Sequence, residues 1–176
     1  MSLIVIISIA LFISLQNAPW FSWTENAISD LGRPEHGMPF FNLVLGFVGI
    51  LLLIFSIGLI SSFRKERIGP TILALSSIYF IGIGIFPLPD PNHVDVSGLF
   101  FIAFPLGFFI LGLQLYKKKD VFIRKMGKFA LVIGVISGLS PIILVSYAGI
   151  AIPEIIIIFP GFLWCFRYGL YLFLEK

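Results

Sequence analysis

Long apolar runs alternate with short polar connections along the chain, and this pattern predicts six membrane-crossing helices. Each run approaches the ~20 residues needed to cross about 30 Å of hydrocarbon. Because lipid offers no hydrogen-bond partner to a bare backbone, apolar runs of this length must be helices. The predicted spans cover residues 2–18, 39–63, 69–86, 96–116, 126–147 and 153–174. The predicted fold class is all-α, with residues 1–176 forming one polytopic six-helix membrane domain.

The first run is the shortest, and a cleaved signal peptide is the alternative interpretation of it. A signal peptide begins with a basic segment and ends at a small-x-small cleavage site, and residues 1–23 show neither feature. Trp20 and Trp23 extend the run to an aromatic membrane interface instead. A retained first span is therefore the interpretation adopted for the six-helix count.

Composition supports the membrane class. The chain is 59% hydrophobic and 12% charged, whereas soluble domains carry roughly 25% charged residues. Cys165 is the single cysteine, which excludes an intrachain disulfide and a cysteine-based metal cluster. There is neither a glycine-rich phosphate loop nor a basic nucleic-acid-binding surface. Membrane lipids are the expected partners and nucleic acid is not one, while the sequence does not indicate an oligomeric state.

The basic residues divide unequally between the predicted connections. Eleven of the 12 Lys and Arg residues lie in the connections after the second and fourth spans, in the span ends beside those connections, or in the end of the sixth span and its tail. Arg33 is the exception. The positive-inside rule then places both termini in the cytoplasm of a protein of the cell membrane. Six of the 9 acids and both histidines lie on the opposite, outward side: Glu25, Asp30, Glu35, Asp90, Asp95, Glu154, His36 and His93.

The connection between the first two spans predicts a short amphipathic helix over residues 22–31. Ser22 and Glu25 have capping-box spacing, and Gly32 with Pro34 ends the pattern. On a helical wheel the polar residues share one arc: Glu25, Asn26, Ser29, Asp30 and Arg33. This polar arc is either a solvated face at the membrane surface or a face turned inward over a cavity between the spans.

The connection between the third and fourth spans brings Asp90, His93 and Asp95 to the start of the fourth span. The acids are favoured there by the helix macrodipole alone. A carboxylate beside His93 would instead orient the imidazole and make it a proton carrier. Glu154, at the start of the sixth span, is explained as an ordinary acid at a helix N-terminus.

These outward residues give the candidate site. We predict that Asp30 and His93 approach each other, with Asn26 and Ser29 beside them. Asp30, His93 and Asp95 are the candidate catalytic residues. The candidate ligand-binding residues are Glu25, Asn26, Ser29, Asp30, His36, Asp90, His93 and Ser97.

A metal is a minor possibility at the same place. Asp30, Asp90, His93 and Asp95 carry the oxygen and nitrogen ligands that zinc or manganese accepts. Their spacing matches no metal signature such as HExxH. We therefore predict no cofactor and assign no metal ligand.

Two segments, PWFSWTENAISDLG at 19–32 and GIFP…HVDVSGLFF between 84 and 101, carry a family resemblance. They resemble the six-span prokaryotic membrane family catalogued as domain of unknown function 998, over nearly the whole chain. The Ile-Ser-Asp-x-Gly loop and the histidine opening span four are also similar to those of the eukaryotic Frag, DRAM and Sfk proteins. That wider resemblance implies an outward site and a role in lipid remodelling, without supplying a reaction.

Three functional classes remain open on this sequence. The outward polar residues and the resemblance favour a lipid-handling or lipid-modifying membrane protein. A non-catalytic partner subunit or sensor is the second possibility. A small-molecule transporter or channel is the third, and the scarcity of polar residues within the spans argues against it. Whether the protein is an enzyme is left undecided.

Overall fold

The computed structural model describes residues 3–36, 39–63, 65–144 and 150–174, with the side chains of residues 36, 143 and 144 outside the description. The regular secondary structure of this part of the chain is entirely helical, with no strand, and turns and irregular segments join the helices. The long helices are α1 (Leu3–Gln16), α2 (Pro39–Ser62), α3 (Ile68–Ile85), α4 (Asn92–Leu115), α5 (Val121–Leu144) and α6 (Ala151–Leu174). Two short 3₁₀ helices, Ile28–Gly32 and Pro34–His36, lie between α1 and α2.

Four of these helices, α2, α3, α4 and α6, are long and apolar enough to cross a membrane, and α1 is a shorter apolar helix. An all-α protein with membrane-type helices is therefore confirmed. Two helices begin earlier than the hydropathy pattern indicated, α4 at Asn92 and α5 at Val121. At α5 the carboxylate of Asp120 accepts a hydrogen bond of 2.8 Å from the Ile123 amide, as an N-cap does. A helix capped in this way extends beyond the apolar segment into polar surroundings.

The helices pack in chain order. Each of α2, α3, α4 and α5 packs against the next helix, and α6 packs on α5 and α1, which closes the bundle. Glycines permit the closest approaches: a Cβ at Gly84 would lie 2.6 Å from the backbone oxygen of Asn42. Consecutive antiparallel helices bring alternate connections to the same end of the bundle. We call the end with the described residues 17–36, 86–91 and 150 the acidic end, and the end with the described residues 63, 65–67 and 116–120 the basic end.

Aromatic rings fill the middle of the bundle. Phe104 packs against Phe108 with ring centroids 5.0 Å apart, and Phe108 packs against Trp164 at 5.6 Å. Edge-to-face pairs of this kind add stabilisation beyond the area that they bury. The fully buried rings on α3, α4 and α6 are Phe80, Phe100, Phe104, Phe108, Phe162, Trp164 and Tyr168. The described interior is thus a packed aromatic core, in which the buried hydroxyls of Ser76 and Ser77 both donate to Leu73 O of their own helix.

The amphipathic helix predicted over residues 22–31 does not form. Residues 23–25 make a turn, and the helical part is the 3₁₀ segment Ile28–Gly32, hereafter the capping helix. The Asp30 amide donates to Ala27 O at 3.1 Å, not to Asn26 O as an α-helix would require. Asn26 O instead accepts from the Ala151 amide at the start of α6, at 3.0 Å. A tertiary hydrogen bond has replaced the local one.

Candidate functional site

The capping helix is fixed to two long helices at the acidic end. The Ile28 amide donates to Oε2 of Glu154 at 2.5 Å, and the Asn42 side chain donates to Gly32 O at 2.7 Å. Ile28 and Leu31 are buried, Leu31 completely. Polar contacts at both ends and apolar side chains beneath therefore hold this segment over the bundle.

Asp30 and Gly32 explain why the segment adopts this shape. Oδ2 of Asp30 accepts from the Ala27 amide at 2.8 Å, and Oδ1 accepts from Nε of Arg33 at 2.7 Å. This hydrogen bond raises the pKa of Arg33 above its ordinary value, so the guanidinium stays charged. A Cβ on Gly32 would lie 2.0 Å from Oδ1 of Asn42, so a larger residue here would displace the Asn42 side chain from its bond to Gly32 O.

Glu154 is the functional candidate that sequence reasoning missed. It is 6% exposed and is the one buried acid among the described residues. A buried carboxylate is costly unless it is hydrogen-bonded, and Glu154 accepts from the Ile28 amide within the favourable first turn of α6. The available signal was an isolated acid at the mouth of an apolar span. Its partner, 126 positions away, is not visible in the local pattern.

His93 is buried in the first turn of α4, and its ring has a defined orientation. Nδ1 lies 2.7 Å from the backbone oxygen of Phe86. A carbonyl oxygen only accepts, so Nδ1 carries the proton, and Nε2 of the neutral ring is an acceptor. The backbone supports this placement, because the His93 amide donates to Asp90 O at 3.0 Å.

A small cavity lies beneath the capping helix where these elements meet. Its polar lining consists of Ser29, His93, Ser97 and Glu154, and its apolar wall is formed by Ile28, Phe41, Leu45, Phe80, Ile83, Phe101 and Ile158. The volume is about 30 Å³, which admits water. Whole organic ligands occupy pockets of roughly 300–1,000 Å³. The cavity therefore has room for a single water-sized group, and most of its wall is apolar.

Asp30 and His93 lie at the same end of the bundle with separate partners. Both carboxylate oxygens of Asp30 and Nδ1 of His93 are already engaged, and no direct hydrogen bond joins the two side chains among the described residues. Ser29, next to Asp30, is the residue of the capping helix that reaches the cavity with His93. That Asp30 and His93 approach each other therefore stays a prediction, with a bridging water in place of a direct hydrogen bond.

The other predicted residues whose side chains are described do not line the cavity. Glu25 is exposed in the turn before the capping helix, and Asp95 is exposed on α4. Asp90 accepts from the Asn92 amide and side chain, at 2.8 and 2.9 Å. Asn26 has a structural role through Ser22 and Ala151, and the side chain of His36 lies outside the described residues.

The described residues offer no group of side chains that could hold a metal ion. Within residues 3–36, 39–63, 65–144 and 150–174, no three His, Cys, Asp or Glu side chains come together as a metal site would require. No chemistry is assigned to a metal here.

The fold and site define an all-helical, membrane-type bundle with a small polar cavity under a capping helix. The family model for the protein of unknown function DUF998 matches residues 2–171, so the chain belongs to this family. Comparisons with curated proteins and with solved structures found no match.

Proposed function

We propose that this protein is an integral membrane protein that binds a membrane lipid through a polar site at its outward face. The observation that carries this proposal is the cavity under the capping helix. There Ser29, His93 and Glu154, from three separate elements, converge at one end of a bundle of apolar helices. A polar cavity at that level lies where lipid headgroups meet the hydrocarbon.

The orientation is part of the proposal. Eleven of the 12 basic residues lie in the connections after the second and fourth spans, in the span ends beside those connections, or in the last helix and its tail, so the positive-inside rule puts both termini in the cytoplasm. The acidic end then faces outward. In this arrangement α1 and α5 complete six spans, and the capping helix lies at the outer surface.

The chemistry of the cavity indicates which headgroup it accepts. Oε2 of Glu154 accepts from the Ile28 amide, Nε2 of His93 is an acceptor in the neutral tautomer, and the serine hydroxyls both donate and accept. Four acids lie among the residues that define the acidic end, and Asp95 and Glu154 lie in the first turns of the helices that begin there; Arg33, the basic residue of this end, is paired with Asp30 and Glu35. A field of this sign disfavours anionic groups. The favoured ligand is a lipid whose headgroup ends in an amine or a hydroxyl.

Among the three candidate catalytic residues, only His93 lines the cavity. In the neutral tautomer that donates from Nδ1 to Phe86 O, Nε2 is the ring nitrogen that would accept a proton from a headgroup hydroxyl, as a general base does. Asp30 is occupied by Arg33 and Ala27, and Asp95 is exposed on the outside of α4. The binding proposal itself requires no reaction.

A non-catalytic partner subunit is the second candidate, and the packed aromatic core favours it. The rings from Phe80 to Trp164 fill the described interior, and the cavity is small, so the fold is stable without a ligand. The same core leaves no continuous polar path through the described part of the bundle. A transporter or channel is therefore the weakest of the three classes.

Lipid-dependent thermal stability tests the proposal. The purified protein is melted with phosphatidylethanolamine, diacylglycerol or phosphatidic acid, which present an amine, a hydroxyl and an anion. We expect the first two to raise Tm and phosphatidic acid to have little effect. His93→Gln and Glu154→Gln should remove the difference, whereas Thr24→Ala, in the exposed turn of the same end, should keep it. Equal stabilisation by all three lipids would contradict the proposal.

A further inference from the structure

A groove between α4 and α5 lies beside the polar cavity. Its volume is about 550 Å³, within the roughly 300–1,000 Å³ range of ligand-binding pockets. Its lining has no charged or hydrogen-bonding side chain: Gly98, Phe101, Ile102, Pro105, Leu106, Phe109, Gly134, Gly138 and Pro141. Ile102 and Leu106 are 68% and 45% exposed, so the groove is open along the side of the bundle.

The two helices separate toward the acidic end. At Gly134 they are in close contact, because a Cβ there would lie 2.6 Å from the backbone of Phe109. Among the described residues, the nearest atom to a Cβ at Gly138 would be in Pro105 at 4.0 Å, and none would lie within 4 Å of a Cβ at Gly98. The groove is therefore closed at the level of Gly134 and open toward the end that holds the cavity.

The length of the groove matches one leaflet. From Gly98 to Phe109, α4 rises about 16 Å at ~1.5 Å per residue, and the hydrocarbon core is about 30 Å thick. Water is excluded at this depth, and an apolar recess between helices gives water no hydrogen-bond partner. A hydrocarbon chain that enters from one leaflet is the occupant of matching length and chemistry.

We infer that this groove holds one acyl chain of the lipid whose headgroup reaches the polar cavity. Phe101 lines both spaces, and the adjacent residues Ser97 and Gly98 line the cavity and the groove respectively. A chain in the groove therefore brings its headgroup to the side of His93. The headgroup part of this inference rests on the proposed function, whereas the chain site follows from the groove alone.

Photolabelling with a lipid tests the chain site. A phosphatidylethanolamine that carries a diazirine in mid-chain is incorporated with the full-length protein into phosphatidylcholine nanodiscs, and labelled peptides are mapped. We expect labelling of Ile102, Leu106 and Phe109 to exceed that of the exposed α2 residues Leu43 and Ile54. We expect labelling of the α4 residues to exceed labelling of the α2 residues by roughly three-fold or more. The preference is modest because contacts within the membrane gain no hydrophobic driving force.

Two glycine variants make the test specific. A Cβ at Gly98 or at Gly58 would meet nothing within 4 Å, but only Gly98 lines the groove. Gly98→Leu should fill the upper groove and abolish the excess labelling, and Gly58→Leu should leave it unchanged. Unchanged Tm in both variants verifies that each one folds. Uniform labelling of α2 and α4 in the wild type, or excess labelling that survives Gly98→Leu, would overturn the inference.

The photolabelling and the lipid-dependent melts together separate the groove proposal from the headgroup proposal. Headgroup-dependent stabilisation with uniform chain labelling would overturn the groove and leave the proposed function standing. Excess groove labelling that is equal for diazirine-bearing phosphatidylethanolamine and phosphatidic acid would support the chain site and contradict the headgroup preference. Absence of both effects would overturn both.

Discussion

The amide of Ile28 donates a hydrogen bond of 2.5 Å to Oε2 of Glu154 across 126 positions of the chain. This contact joins the connection after α1 to the start of α6, and the Ala151 amide reinforces it by donating to Asn26 O. The capping helix is consequently part of the folded bundle. Its position determines which residues close the polar cavity.

Removing the Glu154 carboxylate should release the capping helix. Glu154→Ala leaves the buried Ile28 amide without an acceptor, which costs about 1–3 kcal/mol of unfolding free energy. Glu154→Gln keeps an acceptor oxygen and should cost less. Denaturant unfolding in detergent and hydrogen exchange at the Ile28 amide measure the effect. Glu25→Ala, an exposed acid in the same connection, is the control, expected within about 0.5 kcal/mol of wild type.

Two Gly→Ala substitutions should shift stability in opposite directions. Gly32→Ala places a Cβ against Oδ1 of Asn42, so the Asn42 side chain must move and lose its bond to Gly32 O. Gly58→Ala meets open space within α2 and should stabilise the helix by roughly 0.5–1 kcal/mol. A thermal melt of each variant checks the prediction, and stabilisation by Gly32→Ala would contradict the close approach.

The Arg33–Asp30 pair should add an amount to the unfolding free energy that does not change with pH near neutrality. Folding raises the pKa of Arg33. The pair therefore stabilises the folded state fully at any pH below the pKa of Arg33 in the unfolded chain. The stabilisation is lost only as pH rises through the still higher pKa of the folded state. Both values lie far above neutral. Arg33→Gln should therefore lower stability equally, by about 0–1 kcal/mol, at about pH 6 and about pH 9. A difference between these two melts would show that another titrating group controls the pair.

Cysteine accessibility should reveal the proposed orientation. Lys118→Cys lies at the basic end and Asp90→Cys at the acidic end, while the native Cys165 is buried. In intact cells a membrane-impermeant maleimide should label Asp90→Cys and spare Lys118→Cys until the membrane is permeabilised. Wild type should remain unlabelled. Labelling of Lys118→Cys from outside would reverse the orientation and place the cavity in the cytoplasm.

The sequence predicted the helical part of this fold well because hydropathy is a local property. An apolar run has to satisfy its backbone within itself wherever it lies in the membrane. The pattern therefore located α2 and α6 to within a few residues, with predicted spans 39–63 and 153–174 against Pro39–Ser62 and Ala151–Leu174. The separation of acidic from basic connections followed in the same way, from alternation along the chain.

Only part of the candidate site followed from the sequence. Ser29, His93 and Ser97 were predicted and line the cavity, whereas Asp90 and Asp95 were predicted and do not. Aspartates such as Asp90 and Asp95 are typical of binding sites, but they also have an ordinary stabilising role at the start of a helix. Composition does not distinguish the two roles, because a side chain's contacts depend on how neighbouring helices rotate and tilt.

The sequence by itself determined the membrane-type, all-α class, the approximate helix bounds and the two chemically distinct ends. The tertiary structure decided that residues 22–31 do not form one amphipathic helix, that Glu154 holds the capping helix, and that α4 and α5 separate to form a groove. The physical reason is sequence distance. Local propensity acts within a few residues, whereas the bond between Ile28 and Glu154 exists only once six helices have packed and excluded water from it.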